Sequence, residues 1–335
     1  MIQEKVSLRE YNTFRINCVA DLLVTIASEK ELQDYILTVK NLKEKYLVLG
    51  GGSNMLFSGD FRGTIIHPSI KGIDLTKEDS ECVHVVAGAG VAWDDLVSWS
   101  VNAGYGGLEN LSLIPGSVGA VPVQNIGAYG VEAGPRITRV KTINISDGSI
   151  KYFTSGECRF GYRDSIFKSE LKGRFVVLSV EFRLDKKPEF NLEYGFLRQE
   201  VAAHSDLTLQ AIREAVIRIR SSKLPDPSVT GNAGSFFKNP VIGKDHGDFL
   251  KSLHPLMPVY HEKSGGYKVA AGWLIEQCGW KGWREGDAGV HEKQALVLVN
   301  HGNATGNEIL ALSRKISDSV RDKFYINLER EVEVV

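Results

Sequence analysis

Cysteine is sparse in this chain and never closely paired: Cys18, Cys82, Cys158 and Cys278 are the only four among 335 residues. Without a Cys-x-x-Cys pair, neither a zinc framework nor a disulfide scaffold is expected, and reduced thiols in the cytosol fit better. An excess of charge is missing too, since 40 basic residues face 41 acidic ones. No chain-wide field is then available to hold nucleic acid or an anionic membrane, and any anionic ligand must be held locally. Long apolar runs are absent: none reaches the roughly 18 residues that a membrane helix needs. The start, Met-Ile-Gln-Glu-Lys-Val-Ser, lacks the basic stretch and apolar core of an export signal. A soluble cytoplasmic protein with neither a membrane nor a nucleic-acid partner is the expectation.

Several catalytic signatures are also missing. His261-Glu262 and His291-Glu292 do not continue into His-Glu-x-x-His, so no metal is expected. Around Ser235, Ala233 and Phe237 occupy the positions where a nucleophile elbow requires glycine. Gly50-Gly51-Gly52 is not followed by Gly-Lys-Ser/Thr, and Met55 stands where the dinucleotide fingerprint has its third glycine.

What is present is enough chain for two or three domains, with a cleft between domains as the default site. Strand patterns occur at 22–26, 46–49, 83–86, 140–145, 150–153, 175–184 and 295–299, and at the end of the chain. Helical patterns run from Glu29, capped by Ser28, and over 93–101, 207–222, 269–278 and 307–324. The charged, proline-bearing stretch Asp185-Lys186-Lys187-Pro188 precedes the third segment. An α+β organisation follows, in four parts: 1–70, a strand-rich 71–205, 206–325, and a terminal strand at 326–335.

Four runs could carry chemistry. The triple glycine, with Ser53 and Asn54, exposes backbone N–H groups that can cradle a pyrophosphate, although a plain strand-end turn would look the same. Residues 114–130 hold four glycines, two prolines and two alanines, too many breakers and small residues for a helix or a ladder strand. Such a backbone admits something flat or bulky, with Gln124 and Asn125 available to hydrogen-bond its edge; a long structural loop is the alternative. In Tyr162-Arg163-Asp164-Ser165 the guanidinium of Arg163 is suited to a carboxylate or phosphate, or to a surface ion pair. Finally, Gly-Asn-Ala-Gly-Ser-Phe-Phe-Lys-Asn-Pro at 231–240 reads as a glycine-hinged turn presenting Ser235, with Phe236 and Phe237 excluding water. A packed turn would read alike. Just before it, Lys223 and Arg220 near a helix end suit a phosphate, or simply a solvated terminus.

Taken in order, Asn12-Thr13-Phe14, residues 49–54, 114–130, 162–165, Lys223-Leu224-Pro225-Asp226-Pro227 and 231–240 resemble the UDP-N-acetylenolpyruvoylglucosamine reductases of peptidoglycan synthesis. So do Gln294-Ala295-Leu296-Val297 and Leu328-Glu329-Arg330-Glu331-Val332. The resemblance implies a two-part FAD-binding module of the vanillyl-alcohol-oxidase type, a carboxy-terminal α+β substrate domain, and NADPH as reductant. The implied reaction turns UDP-N-acetylglucosamine enolpyruvate into UDP-N-acetylmuramate, and so serves cell wall biogenesis, cell shape, cell cycle and division. Carried over by position, Arg163, Ser235 and Glu331 are catalytic, while Tyr194, Lys223, Asn239 and Gln294 contact substrate. FAD falls to Gly50, Gly51, Gly52, Ser53, Asn54, Gly116, Ser117, Gly119, Gln124, Asn125, Gly127 and Ala128. Tyr194 marks the longer family variant, whose tyrosine loop closes over the nucleotide. Arg330 departs from the family's proline, which leaves Glu329 as a second candidate beside Glu331.

The chemistry asks Arg163 and the acid form of Glu331 to meet charge developing beside the substrate carboxylate, and Ser235, helped by Lys238, to deliver a proton to the adjacent carbon. A monomer using one basic pocket around Lys223 for both diphosphates in turn is expected. The alternative is a flavin oxidase or dehydrogenase of the same fold acting on another sugar or hydroxy acid.

Overall fold

The computed structural model describes residues 1–39, 45–202, 204, 206–262 and 265–335. The expected boundary at 205/206 therefore abuts a residue outside the described ones. The chain forms two compact units, each assembled from three stretches: 1–6, 20–51 and 62–222 in the first, 7–19, 52–61 and 223–335 in the second.

The first unit holds two main sheets. Ile2–Ser7, Val19–Ile26, Phe61–Pro68 and Tyr46–Val48 form one, in that order, its last pair parallel. The other, antiparallel throughout, runs Ile150–Thr154, Ile137–Asn144, Phe175–Asp185, Cys82–Gly88, Ile73–Glu78. Its central strand Phe175–Asp185 is apolar on both faces, and both are used. Val176 and Leu178 share a core with Leu32 and Ile36 of the helix Glu29–Thr38, whereas Val180 and Phe182 pack with Trp93, Leu96 and Val97 of the helix Trp93–Asn102. Ser28 begins the first of these helices with its hydroxyl accepting from Glu31 N, as the local sequence signals. The Trp93 indole N–H donates to Leu111 O at 2.8 Å and fixes the entrance of the run that starts at Ile114. A third cluster joins Leu197 and Val201 to Ile212, Ala215, Val216 and Ile219 of the helix Leu209–Lys223.

In the second unit, Gly231–Ser235, Val297–Asn300, Ala288–Val290 and Arg284–Glu285 make an antiparallel sheet. The helix Gly306–Phe324 contacts this sheet, and its Ile309, Leu312, Ile316 and Val320 are buried at helical spacing. A small sheet of Val241–Ile242, Tyr267–Val269 and Val259–His261 lies in the same unit, and Glu333–Val334 pairs in parallel with Met55–Leu56. Among the described residues no helix is long and apolar enough to cross a membrane. The four thiols are unpaired, and burial pushes Cys18 up to about 11 and Cys158 up to about 12, which keeps them poor nucleophiles.

Two regions differ from the sequence expectation. Gly231–Ser235 is a strand rather than a turn, because Val297–Asn300 supplies partners from far along the chain, but its register slips between Asn232 and Ser235, and Gly234 sits at φ 67°. Residues 114–130 contain a single turn of helix, Val121–Gln124, with proline at its amino end where no N–H is needed, and the two-residue strand Gly127–Ala128.

The capping box of Gly306–Phe324, with Glu308 N donating to Thr305 Oγ1 and Thr305 N donating to the Glu308 carboxylate, generates a prediction. Thr305→Ala should cost about 1 kcal/mol in chemical denaturation followed by circular dichroism; an unchanged midpoint would show that packing alone holds this helix end.

Candidate active site

In the first unit, two glycine-bearing segments touch backbone to backbone. A methyl group on Gly51 would stand 2.8 Å from Gly116 Cα, and one on Gly50 would stand 2.5 Å from Ser117 Oγ. Gly119 is equally tight, with an added Cβ 2.8 Å from that of Ala89, and its N–H donates to Ala89 O. Among the described residues no acceptor faces the amides of Gly50, Gly51, Gly116 or Ser117, and the buried Ser117 Oγ has no partner. Open N–H groups on a close-packed glycine backbone, with a buried hydroxyl beside them, are the donor set that a diphosphate accepts from.

The rest of the run is pinned by the segment that carries Arg163. Ser165 Oγ donates to Val123 O at 2.6 Å, Arg163 Nη2 donates to Gly127 O at 2.6 Å, and Asn125 Nδ2 reaches Gly161 O at 2.9 Å. Asn125 also donates to Glu132 and accepts from Gly134 N, so its side chain is engaged within the fold. Gly127 lies under the Arg163 guanidinium, which leaves 2.9 Å for any Cβ there. Gln124 ends the one-turn helix and Ala128 pairs with Val131. Leu113, Asn125, Tyr129 and Arg163 all hold positive φ, 45° to 58°, a concentration of strained non-glycine backbone of the kind found at ligand sites.

Charge is concentrated behind this loop. Arg213 grips Asp94 through both nitrogens at 2.7 and 2.8 Å, while Asp94 also accepts from Leu113 N. Burial raises the Asp94 pKa, but these hydrogen bonds outweigh it and the net direction is down. Arg220 is no solvated helix terminus: its Nε is enclosed without a partner among the described residues, and burial pushes its pKa down against the pull of Tyr129 and Asp94. Nothing in the local sequence distinguishes Arg220 from its neighbours; its importance lies in enclosure that only the fold creates. Tyr194 stands edge-on to Tyr129, with ring centroids 5.9 Å apart.

The second unit brings Ser235 and Glu331 into one local framework. Phe236 and Phe237, essentially fully buried, anchor the strand end, with Phe14 edge-on to Phe236 at 6.2 Å. Glu331 N donates to Phe236 O at 2.9 Å, Lys238 N donates to Glu329 O, and Phe237 bridges Arg330. Asn54 Nδ2 holds Glu331 O at 3.1 Å, and Gly52 is pressed so closely on Tyr11 O that an added Cβ would lie 2.0 Å away. Ser53 lies in the same stretch. Asn12, buried, bonds Leu8 O and Ile16 O, and Thr13 O accepts from Asn232 N, which seats the Asn12-Thr13-Phe14 motif beneath the Ser235 strand. Asn239 Oδ1 accepts from Ala271 N, leaving its amide hydrogens as the donors on offer. Gln294 Oε1 lies over Gly272. Lys223 closes its helix, exposed. Lys238 does not stand ready for Ser235: its ammonium is held by the Glu329 carboxylate, which also makes Glu329 an ion-pair partner.

Residues 226–335 match the family profile described as UDP-N-acetylenolpyruvoylglucosamine reductase, C-terminal domain, and residues 20–153 match that of an FAD binding domain. The chain is 48% identical to the UDP-N-acetylenolpyruvoylglucosamine reductase of Flavobacterium johnsoniae, with 100% of this chain and 99% of that protein covered. Its identity to the reductase of Bacteroides fragilis is 46%, with both chains covered in full. The crystal structure of UDP-N-acetylenolpyruvylglucosamine reductase from Thermus caldophilus superimposes with a TM-score of 0.71 at 26% identity, covering 100% of this chain and 99% of that one.

Two outcomes follow. Gly51→Ala should push the glycine segments apart and weaken FAD retention on the order of 10-fold or more, read as visible flavin absorbance retained through gel filtration; full retention would contradict the cradle. The depressed Asp94 carboxyl contributes stability that is complete above its ordinary pKa of about 3.9 and is lost as pH falls through the lower folded-state value. Arg213→Gln should therefore be less stable than wild type at neutral pH, with the gap narrowing in acid; a pH-independent gap in thermal denaturation would refute the linkage.

Proposed function

The chain belongs to the UDP-N-acetylenolpyruvoylglucosamine reductase family, an α+β flavoprotein group with a two-part FAD-binding module of the vanillyl-alcohol-oxidase type, and from this we propose its activity. It reduces the enolpyruvyl ether of UDP-N-acetylglucosamine enolpyruvate to UDP-N-acetylmuramate, with NADPH as reductant. Full-length identity of 46 to 48% to named reductases supports this over an oxidase of the same fold acting on another sugar or hydroxy acid. Production of a peptidoglycan precursor in the cytoplasm, by a monomer, and with it a part in cell shape and division, completes the reading.

Gly50, Gly51, Gly116 and Ser117 would hold the FAD diphosphate through main-chain amides and the Ser117 hydroxyl, with Gly119, Gln124, Asn125, Gly127 and Ala128 along its length and Gly52, Ser53 and Asn54 completing the set. The chemistry supplied by bound flavin is hydride transfer, taken from NADPH and given to the terminal carbon of the enolpyruvyl group. The chain's own task is to manage the charge and the proton. Arg163, oriented by Gly127 O, is suited to the substrate carboxylate as negative charge builds beside it. Glu331 is held by its main chain to Phe236 and Asn54, and in its acid form donates a hydrogen bond to that charge. Ser235 delivers the proton to the carbon next to the carboxylate. Tyr194, Lys223, Asn239 and Gln294 contact the sugar nucleotide; Lys223 meets the diphosphate, first of NADPH and then of the substrate.

The observation that carries the reading is Ser235 on the irregular end of a strand whose neighbour, Phe236, accepts from Glu331 N. Ser235→Ala should leave reduction of FAD by NADPH intact and slow reoxidation by the enolpyruvyl substrate about 10²- to 10⁴-fold in anaerobic stopped-flow. Parallel loss of both half-reactions would rule out the proton-donor role.

A further inference from the structure

Asn110 is almost wholly buried in the 3-10 turn Glu109–Leu111, away from the groups that manage charge and proton in the reaction. One amide nitrogen donates to two carbonyls from distant segments, Tyr129 O at 3.1 Å and Asn191 O at 2.8 Å. The geometry is reciprocated: Asn191 Nδ2 donates to Gly130 O at 3.2 Å, while Asn191 Oδ1 accepts from Glu193 N at 3.3 Å. Phe190 and Leu192, on either side of Asn191, pack with Tyr129 against the Leu197 to Ile219 cluster. The segment is thereby held at its root, and Tyr194 emerges edge-on to Tyr129, about half exposed. Two carbonyls can only accept, so the amide must face them with its nitrogen, and this leaves Asn110 Oδ1 enclosed with no partner among the described residues. A position that tolerates an unsatisfied buried oxygen retains asparagine for its two donors.

We propose that Asn110 is a positioning residue for the sugar nucleotide: it staples the Tyr129–Gly130 turn to the Tyr194 segment and so fixes where Tyr194 meets the nucleoside diphosphate. This rests on the reading of Tyr194 as a substrate contact. Aspartate has the same shape but would set carboxylate oxygens against both carbonyls, which opens the staple without leaving a cavity.

The test uses the FAD-loaded full chain. Asn110→Asp should speed amide hydrogen exchange at residues 190–196, raise KM for the enolpyruvyl sugar nucleotide on the order of tenfold, as two lost hydrogen bonds imply, and leave kcat and flavin absorbance near wild type. If that variant fails to fold, Asn191→Ala, which removes only the outer half of the clamp, should raise KM in the same direction by less. An unchanged KM in the folded variants, or a fall in kcat that merely follows flavin loss, would overturn the positioning role. A wild-type protein whose flavin spectrum does not respond to the sugar nucleotide would instead sink the functional reading beneath it, so the two failures are told apart by the wild-type control.

Discussion

The close contact between the main chains of Gly51 and Gly116 is the constraint that shapes the glycine-lined backbone of the first unit. Any side chain there would meet backbone 2.8 Å away, and backbone, unlike a flexible side-chain end, yields only by moving the segments apart. The closeness lines up amides that, among the described residues, have no acceptor, and leaves Ser117 Oγ buried with no partner among them. A fold that bears such costs does so at a place where something else supplies the acceptors. Arg163, Ser165 and Asn125 extend the same arrangement along the loop, each tying the 114–130 run to residues near 161–165 by a hydrogen bond. The strained φ values of Asn125, Tyr129 and Arg163 are then held by several partners apiece, so orientation is built in before any ligand arrives.

The second unit uses main-chain bonds in the same way. Ser235 and Glu331 are far apart in sequence, yet Phe236 O and Glu331 N join the two runs, and Asn54 clamps Glu331 O from a third. Burying Phe236 and Phe237 anchors the strand whose irregular end presents the serine. Lys238, one residue beyond, is neutralised by Glu329. This gives the two neighbouring glutamates different work: Glu329 faces solvent as an ion-pair partner, and Glu331 remains bound into the serine framework.

What the sequence announced was local. Ser28 and the helix after it, the strand pattern in 175–184, and the helical pattern of 307–324 all depend on residues a few positions apart, and the structure has those elements. The glycine runs were legible as sites of close approach because glycine has few other reasons to cluster. Partners from distant segments were not legible. Gly231–Ser235 becomes a strand only because Val297–Asn300 lies beside it, Asn125 loses its side chain to Glu132, Gly161 and Gly134, and Arg220 becomes an enclosed charge through packing. Each compact unit is itself built from three separated stretches, which no linear pattern expresses.

The central claim is that electrons from NADPH pass through FAD to an enolpyruvyl sugar nucleotide, with this chain supplying the proton. Anaerobic reduction of the FAD-loaded protein by NADPH, followed by one equivalent of UDP-N-acetylglucosamine enolpyruvate, tests it most directly. The account predicts stoichiometric return of the oxidised flavin spectrum together with UDP-N-acetylmuramate. Flavin that stays reduced until oxygen is admitted would contradict it.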